Sequence, residues 1–191
     1  MQNIPANYYS TWLDKNTADE LFAYLLKSVP WQEESILMFG KRIKVPRLIC
    51  WMADSEYRYD YSGNIHLPQP WLPELKQICN RLNGFLEGAK FNSVLCNLYA
   101  DGCDYMGWHQ DNEPELGKNP KIASISLGAE RKFSLRHKQT KQRADMLLEH
   151  GSLLVMYSNC QNEWEHSLPK SLKCNLPRVN LTFRAILLNL S

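Results

Sequence analysis

One segment near the end of this 191-residue chain, residues 177–188, alternates apolar and polar side chains. This is the period of a half-buried β-strand. The polar face carries two arginines, an amide and a hydroxyl: Arg178, Asn180, Thr182 and Arg184. Arginine is unfavourable in a dry core unless an anion meets it, and its planar fork suits a carboxylate. The segment therefore predicts a strand that borders a site for a small acidic ligand. The two arginines, about 20 Å apart, should contact different groups.

The rest of the chain predicts two helices followed by short strands. The first helix begins with a capping box, Thr17 to Glu20, and ends before Pro30, and the second begins at Pro73. The predicted strands are 91–99, 122–127, 132–136, 146–148 and 152–157. Strands at this spacing are typical of a closed or double-sheet β architecture. We therefore expect an α+β fold with a mainly β core.

Length and composition limit the classes of protein that fit. A chain of 191 residues with 44% hydrophobic residues fits one globular domain, 1–191. We expect a helical, substrate-recognising part at about 1–90 and a β core at about 91–191. The sequence contains no apolar run of about 18 residues, so it predicts no membrane span. The six cysteines form no Cys-x-x-Cys pair and the start lacks a secretory pattern, so we expect reduced thiols in a bacterial-like cytoplasm, with a nucleus left open. For the oligomeric state we expect a monomer.

A His-x-Asp motif, His109 and Asp111, lies upstream of the alternating segment, and a second histidine, His166, lies between the two. On an extended strand, residues two apart share a face. Two imidazoles and one carboxylate are the facial triad of non-haem iron(II) oxygenases, which leaves coordination positions open for cosubstrate and oxygen. A buried histidine bonded to a nearby aspartate, without metal, would place the same residues together, but it would not explain the arginine strand.

Two basic runs stand out against a net charge of only +2. Residues 41–47 hold four cations and end at Arg47, and residues 136–143 hold four cations, Arg136 and Lys138 among them. Solvated loops would account for either run alone. Beside an oxygenase site, however, we interpret them as contacts to nucleic-acid phosphates.

Taken in order, these motifs resemble the AlkB family of iron(II)/2-oxoglutarate dioxygenases, most closely its branch that repairs duplex DNA. Asn97 and Tyr99 match the family's Asn-x-Tyr upstream of the triad. Further family-like stretches are 45–47, 59–63, 101–104, 122–128, 136–138, 150–153 and 166–169. The resemblance implies a double-stranded β-helix, or jelly roll, with the N-terminal helices packed outside. It also implies Fe(II) held by His109, Asp111 and His166, with 2-oxoglutarate as cosubstrate and O2 as oxidant.

The resemblance assigns a cosubstrate site. Its residues would be Asn97, Tyr99, Arg178, Asn180 and Arg184. We expect Arg178 on the distal carboxylate of 2-oxoglutarate and Arg184 nearer the metal. Two other interpretations stay open: Asn97 and Tyr99 as bonded polar groups inside a barrel, and the arginine strand as a surface ion-pair strand.

The resemblance also assigns contacts to the substrate base. By the family's Tyr-x-aromatic-Ser-Gly run, Tyr61 would stack on the base and Tyr59 would bond near it, although alternating tyrosines also suit a core-facing strand. Asn112 and Glu113 would face the base. Asn112 is a departure from the family's acidic residue, and Trp108 beside His109 is another. Ile49 or Trp51 would be either a wedge into duplex DNA or part of an ordinary buried strand.

The implied activity is oxidative demethylation of alkylated DNA bases such as 1-methyladenine and 3-methylcytosine, with release of formaldehyde. The base would have to be flipped out of a duplex or already be single-stranded. RNA demethylation and protein hydroxylation are alternatives on the same fold. A non-enzymatic nucleic-acid binder would be expected to lack one ligand or arginine, yet all are present. A structural zinc protein would bind through thiols.

Overall fold

The computed structural model describes residues 4–38, 41–54, 57, 59–61 and 64–187, and of residues 36–38, 41–42, 59–61 and 64–66 only the backbone. The first strands are β1 (Ala6–Tyr9), β2 (Gln32–Met38), β3 (Lys41–Ala53), β4 (Tyr59–Tyr61), β5 (Asn64–His66), β6 (Ser93–Tyr99) and β7 (Met106–His109). The others are β8 (Ile122–Gly128), β9 (Arg131–His137), β10 (Arg143–Leu148), β11 (Ser152–Met156), β12 (Trp164–Leu168) and β13 (Arg178–Arg184). The helices are α1 (Lys15–Ser28), α2 (Pro73–Phe85) and α3 (Ser158–Glu163).

Two antiparallel sheets form the body of the molecule. The major sheet has the order β1-β11-β8-β13-β6-β3-β2, and the minor sheet has the order β10-β9-β12-β7. A separate hairpin pairs β4 with β5. This two-sheet arrangement confirms the predicted mainly β jelly roll. Within the described residues, no helix is long and apolar enough to cross a membrane.

Strand β13 lies at the centre of the major sheet, paired with β6 on one side and β8 on the other. Its apolar residues Val179, Leu181 and Phe183 belong to the core that the major sheet forms with α1 and α2. Its polar residues face the opposite way, towards the space between the two sheets. The predicted alternation is therefore confirmed. The expectation of a half-buried strand is wrong, because every residue of β13 is buried.

The two long helices cover the outer face of the major sheet. Leu21 and Leu25 of α1 and Leu75 and Leu82 of α2 are buried in the same core as β13. The predicted start of α1 at Thr17 is wrong by about one turn. Asp14 caps α1, and its side chain accepts a hydrogen bond from the Thr17 backbone N–H at 3.0 Å. Asp14 precedes the periodic apolar residues by a full turn, so their pattern did not mark it.

The expected division near residue 90 does not separate helices from sheet. Strands β1, β2 and β3 precede that point, yet all three belong to the major sheet. β3 pairs with β6, and β1 pairs with β11. The short length of β1 and the charges in β2 gave no strand pattern. For β3, a buried strand around Ile49 and Trp51 was one of two alternatives. The jelly roll thus draws on both halves of the chain.

Candidate active site

The two predicted histidine ligands face each other across a strand pair in the minor sheet. His109 ends β7 and stands directly opposite His166 of β12. Their ring centroids lie 4.2 Å apart. Asp111 follows β7 and is buried, and its Oδ2 lies 3.8 Å from Nε2 of His166. Strand pairing therefore brings together side chains that are 57 positions apart in the sequence.

A β-bulge aims His109 into the pocket. His166 pairs with His109 and Leu168 with Met106, so three steps on β7 match two on β12. The extra residue changes the face on which the following side chains lie. Met106 and His109 consequently both line the pocket. Trp108 lies on the outer face of the minor sheet instead. It does not line the pocket.

Arg184 of the major sheet pairs with the carboxylate of the predicted triad. Its Nη2 donates to Oδ1 of Asp111 at 2.5 Å, and both side chains are buried. Burial raises the pKa of Asp111, but Arg184 and the two imidazoles outweigh it, and that pKa falls to about 2. The backbone N–H of Asp111 also donates to Oε1 of the fully buried Gln161 at 2.9 Å. Asp111 is therefore a fixed carboxylate at neutral pH.

Each imidazole can present its Nε2 to a metal. Nδ1 of His109 lies 2.9 Å from the Gly107 carbonyl, which only accepts, so Nδ1 carries the proton and Nε2 is left to coordinate. Burial lowers the pKa of His166 to about 3, with help from His109 and Arg184 against Asp111. The buried Nδ1 of His166 has no hydrogen-bond partner in the described part of the chain.

This donor set fits an iron(II) ion. Two imidazoles and one carboxylate are the expected ligands, and Nε2 is the nitrogen of His166 that faces Asp111. Among the described residues, no three His, Cys, Asp or Glu side chains are already arranged at coordination distances. The three side chains nevertheless all line one pocket.

The major sheet lines the other wall of this pocket with polar groups. Strand register places Asn180 opposite Asn97, and Arg178 opposite Tyr99. Nη2 of Arg178 donates to Oγ of Ser126 at 2.8 Å, and its guanidinium carbon lies 5.3 Å from the Tyr99 ring centroid. Burial lowers the pKa of Arg178 to about 10. Tyr99 raises this pKa and Arg131 lowers it, but both effects are smaller than that of burial. The guanidinium therefore remains charged at neutral pH.

Hydrogen bonds hold the middle of this polar face in place. Nδ2 of Asn180 donates to Oγ of Ser124 at 2.8 Å, and Oγ1 of Thr182 donates to Oδ1 of Asn180 at 2.9 Å. The face thus runs from Arg178 at one end to Arg184, beside Asp111, at the other. Among the described pocket residues there are three arginines and one aspartate, so the cavity favours an anion.

All eight residues predicted for the metal and cosubstrate line this single pocket. They are Asn97, Tyr99, His109, Asp111, His166, Arg178, Asn180 and Arg184. Sequence reasoning missed the supporting residues Ser124, Ser126, Gln161 and Arg131. Arg131 is 1% exposed and donates to the carbonyls of Asp101, Asp104 and Pro169. Its position within a basic, strand-like segment gave no signal of burial.

Arg47 does not lie on a solvated basic run. It is 7% exposed on β3, lines the pocket, and donates from Nε to Oδ1 of Asn97 at 2.6 Å. Its expected phosphate contact is corrected accordingly, because a buried side chain bonded to Asn97 is turned away from a nucleic-acid backbone. Ile49 and Trp51 on the same strand are also buried, so neither is a wedge.

The other predicted substrate contacts lie around the pocket or outside the described part. Asn112 is exposed and Glu113 half-buried just after Asp111. Arg136 bonds Glu165, and Lys138 bonds Gln110. The backbones of Tyr59 and Tyr61 form β4, but their side chains lie outside the described residues. For these residues a base or phosphate contact stays a prediction.

Comparisons with known proteins identify the family of the chain. The family model of the 2OG-Fe(II) oxygenase superfamily matches residues 5–184. The chain is 41% identical to human "DNA oxidative demethylase ALKBH2", over 94% of this chain and 73% of that protein. It is 38% identical to human "Alpha-ketoglutarate-dependent dioxygenase alkB homolog 3", over 93% of this chain and 65% of that protein, just under two thirds of its length.

Solved structures show the same fold at low sequence identity. The structure of OsALKBH1 matches with a TM-score of 0.64 at 16% identity, and covers 96% of this chain and 99% of that one. A 2OG-Fe(II) oxygenase family oxidoreductase from Burkholderia pseudomallei matches with a TM-score of 0.63 at 15% identity, over 95% of this chain and 85% of that one.

Proposed function

The chain belongs to the AlkB family within the 2OG-Fe(II) oxygenase superfamily, and from this premise we propose that it is an oxidative demethylase of N-alkylated bases in DNA. It would act on bases such as 1-methyladenine and 3-methylcytosine and release formaldehyde. The related protein that carries the name DNA oxidative demethylase supports this substrate class.

One observation carries the proposal. The polar face of β13 ends at Arg184, which is bonded to Asp111, so the anion-binding wall and the triad form one continuous site. A dicarboxylate laid along that wall would meet Arg178 with one end and reach the ligands with the other. A non-enzymatic binder or a thiol-bound zinc protein would need neither half of this arrangement.

The chain's own residues would bind and orient the reactants and exclude water from the site. Arg178, supported by Ser126 and Tyr99, would hold the distal carboxylate of 2-oxoglutarate. Asn97 and Asn180 would fix the middle of the cosubstrate. The walls beside the ligands are apolar, with Phe133, Leu168 and others excluding water. Iron(II), held by His109, Asp111 and His166, would supply the oxidation of the N-methyl group by O2 at the expense of 2-oxoglutarate.

Residues around the pocket support a methylated base as substrate. Bases such as 1-methyladenine and 3-methylcytosine are cationic, so the Glu113 carboxylate close to the ligands would favour them over neutral bases. Tyr59 and Tyr61 would stack on and bond the flipped base. Lys138 would contact phosphates beside it. We extend the proposal to a single-domain monomer, 1–191, in the cytoplasm, which gel filtration and cell fractionation would check.

The test is base restoration, measured by mass spectrometry on matched oligonucleotides. Each carries one 1-methyladenine or 3-methylcytosine in single-stranded DNA, duplex DNA or RNA. The protein is loaded anaerobically with Fe(II) and then given 2-oxoglutarate and oxygen. Wild type should restore the base only with all three components. Asp111→Ala should be inactive, while Asp145→Ala, which removes an exposed carboxylate from the minor sheet, should be active.

The substrate arms separate the competing functions. Faster turnover of methylated RNA than of DNA in direct competition would overturn the DNA assignment in favour of an RNA demethylase. Succinate formation without base restoration on any oligonucleotide would also contradict it, and would point to a protein substrate on the same fold.

A further inference from the structure

We propose that Trp108, stacked on Arg136, is a positioning residue that holds His109 in its ligand orientation. Neither Trp108 nor Arg136 lines the pocket. Both lie on the outer face of the minor sheet, directly behind the ligands. The proposal rests on the iron site of the proposed function and is independent of the nucleic-acid substrate.

The ligand segment needs support from outside its sheet. Among the described strands, β7 is an edge strand of only four residues, with β12 as its single neighbour. The bulge interrupts even this pairing between His109 and Met106. Backbone hydrogen bonds alone therefore constrain the ligand segment weakly, because an edge strand is paired on one side and a bulge leaves a residue unpaired.

A chain of side chains on the outer face supplies this support. The guanidinium of Arg136 on β9 lies 4.4 Å from the centroid of the Trp108 ring on β7. The same guanidinium bonds Glu165 of β12 at 2.8 Å. Trp108 and Glu165 are the immediate sequence neighbours of the two histidine ligands. Arg136 thus links three adjacent strands at the level of the metal site.

A second contact grips the segment on its other side. Nζ of Lys138 donates to Oε1 of Gln110 at 2.8 Å. Gln110 lies between the ligands His109 and Asp111. Trp108 and Gln110 flank His109. Arg136 near the end of β9 contacts the first, and Lys138 just after β9 bonds the second. Arg136 and Lys138 are both bonded within the protein, which makes the exposed Arg143 beyond them the better candidate for a phosphate contact.

The chain offers a matched control at the other end of β7. Tyr105 is 39% exposed, compared with 37% for Trp108, and Nζ of Lys170 lies 4.9 Å over its ring. It is a second aromatic–cation pair of similar exposure, yet it adjoins no ligand. Removal of either ring deletes comparable surface packing. Only removal of Trp108 should disturb the ligand geometry.

The experiment is a Co(II) titration, followed by visible absorption, without nucleic acid or 2-oxoglutarate. Trp108→Ala should raise the Kd for Co(II) about tenfold, as loss of a group that orients a ligand commonly does. Tyr105→Ala should leave the Kd within about twofold of wild type. The two alanine variants should change the melting temperature of the metal-free protein by similar amounts. Trp108→Phe should restore most of the affinity, because it keeps an aromatic face for Arg136.

Coupling between the partners completes the test. Arg136→Ala should match Trp108→Ala, and the double variant should be little worse than either alone, because both break one unit. An unchanged Kd in Trp108→Ala, or an equal loss in Tyr105→Ala, would overturn the proposal. So would normal metal affinity in Trp108→Ala combined with weaker oligonucleotide binding, which would assign the ring to a nucleic-acid surface. If wild type itself bound no metal, the proposed function would fail instead.

Discussion

The two walls of the pocket hold their functional side chains in different ways. On the major-sheet wall, β13 is the central strand of seven, and all of its residues are buried. On the minor-sheet wall, β7 is a bulged edge strand whose residue Trp108 is exposed. The anion-binding side chains are thus fixed by a continuous sheet. Of the predicted metal ligands, His166 lies on β12, which is paired on both sides, but His109 and Asp111 depend on individual side-chain contacts. The two walls should therefore respond differently to substitution.

The largest expected effect comes from the buried ion pair between Asp111 and Arg184, which joins the two walls. Asp111→Ala removes a proposed metal ligand and leaves Arg184 buried without its carboxylate. Turnover should be lost. The free energy of unfolding of the metal-free protein should fall by about 3 kcal/mol, because the substitution breaks a buried ion pair by removing one partner. Chemical denaturation checks this, with Asp145→Ala as the control, since that exposed pair is worth about 1 kcal/mol or less. Equal losses would show that the Asp111–Arg184 contact is not special.

A substitution on the major-sheet wall should affect the cosubstrate alone. Arg178→Ala removes the charged group proposed for the distal carboxylate, which is worth about 2 kcal/mol, or roughly 30-fold in the Kd for 2-oxoglutarate. The Kd for Co(II) should stay unchanged. Isothermal titration with each ligand separates the two effects. Arg178→Lys should be intermediate, because it keeps the charge without the planar fork. A parallel loss of metal affinity would show that the walls are not independent.

The minor-sheet wall should also show a pH dependence through His166. Its folded pKa of about 3 lies below the unfolded value of about 6.5, chiefly because of burial. Between these values the unfolded chain binds the extra proton, so the metal-free protein loses stability as the pH falls below 6.5. The slope reaches at most about 1.4 kcal/mol per pH unit. Denaturation between pH 5 and 7 should show this slope in wild type and lack it in His166→Asn. The same slope in both proteins would exclude His166 as its source.

The smallest expected effect concerns the outer surfaces of the two walls. Arg143 is exposed beside the β9–β10 turn of the minor sheet, whereas Lys27 is exposed on α1, which covers the major sheet. If nucleic acid binds on the minor-sheet side, Arg143→Ala should reduce the salt dependence of oligonucleotide binding by about one ion. Lys27→Ala should leave it unchanged. Fluorescence anisotropy at several salt concentrations measures both. A shift for Lys27→Ala alone would place the nucleic acid on the opposite side.

Sequence predicted the major-sheet wall better than the minor-sheet wall. The alternation around Arg178 and Arg184 is a local pattern, and it placed both side chains on the correct face. The pattern did not predict that β13 is buried on both faces, because the second sheet that covers it is formed by strands far away in the chain. Arg47 was predicted to contact phosphates for a related reason. Its neighbours are basic, but its own strand pairs with β6 and turns it towards Asn97.

The minor-sheet wall depends on information that no local pattern carries. The ligands His109, Asp111 and His166 were identified by residue type and order. The bulge that aims His109 follows from the register between β7 and β12, which a single sequence does not reveal. The stacking of Trp108 on Arg136 likewise joins residues from non-adjacent strands. Such contacts form only when the sheet is assembled.

The most direct test of the proposed function measures two products in the same reaction. Wild-type protein with Fe(II), 2-oxoglutarate and oxygen is given DNA that contains 3-methylcytosine, and succinate and formaldehyde are quantified together. We predict equal amounts of the two, and little of either with unmethylated DNA, because cosubstrate oxidation is coupled to removal of the methyl group. Succinate without formaldehyde, at the same rate on methylated and unmethylated DNA, would contradict the proposal that methylated DNA is the substrate of this site.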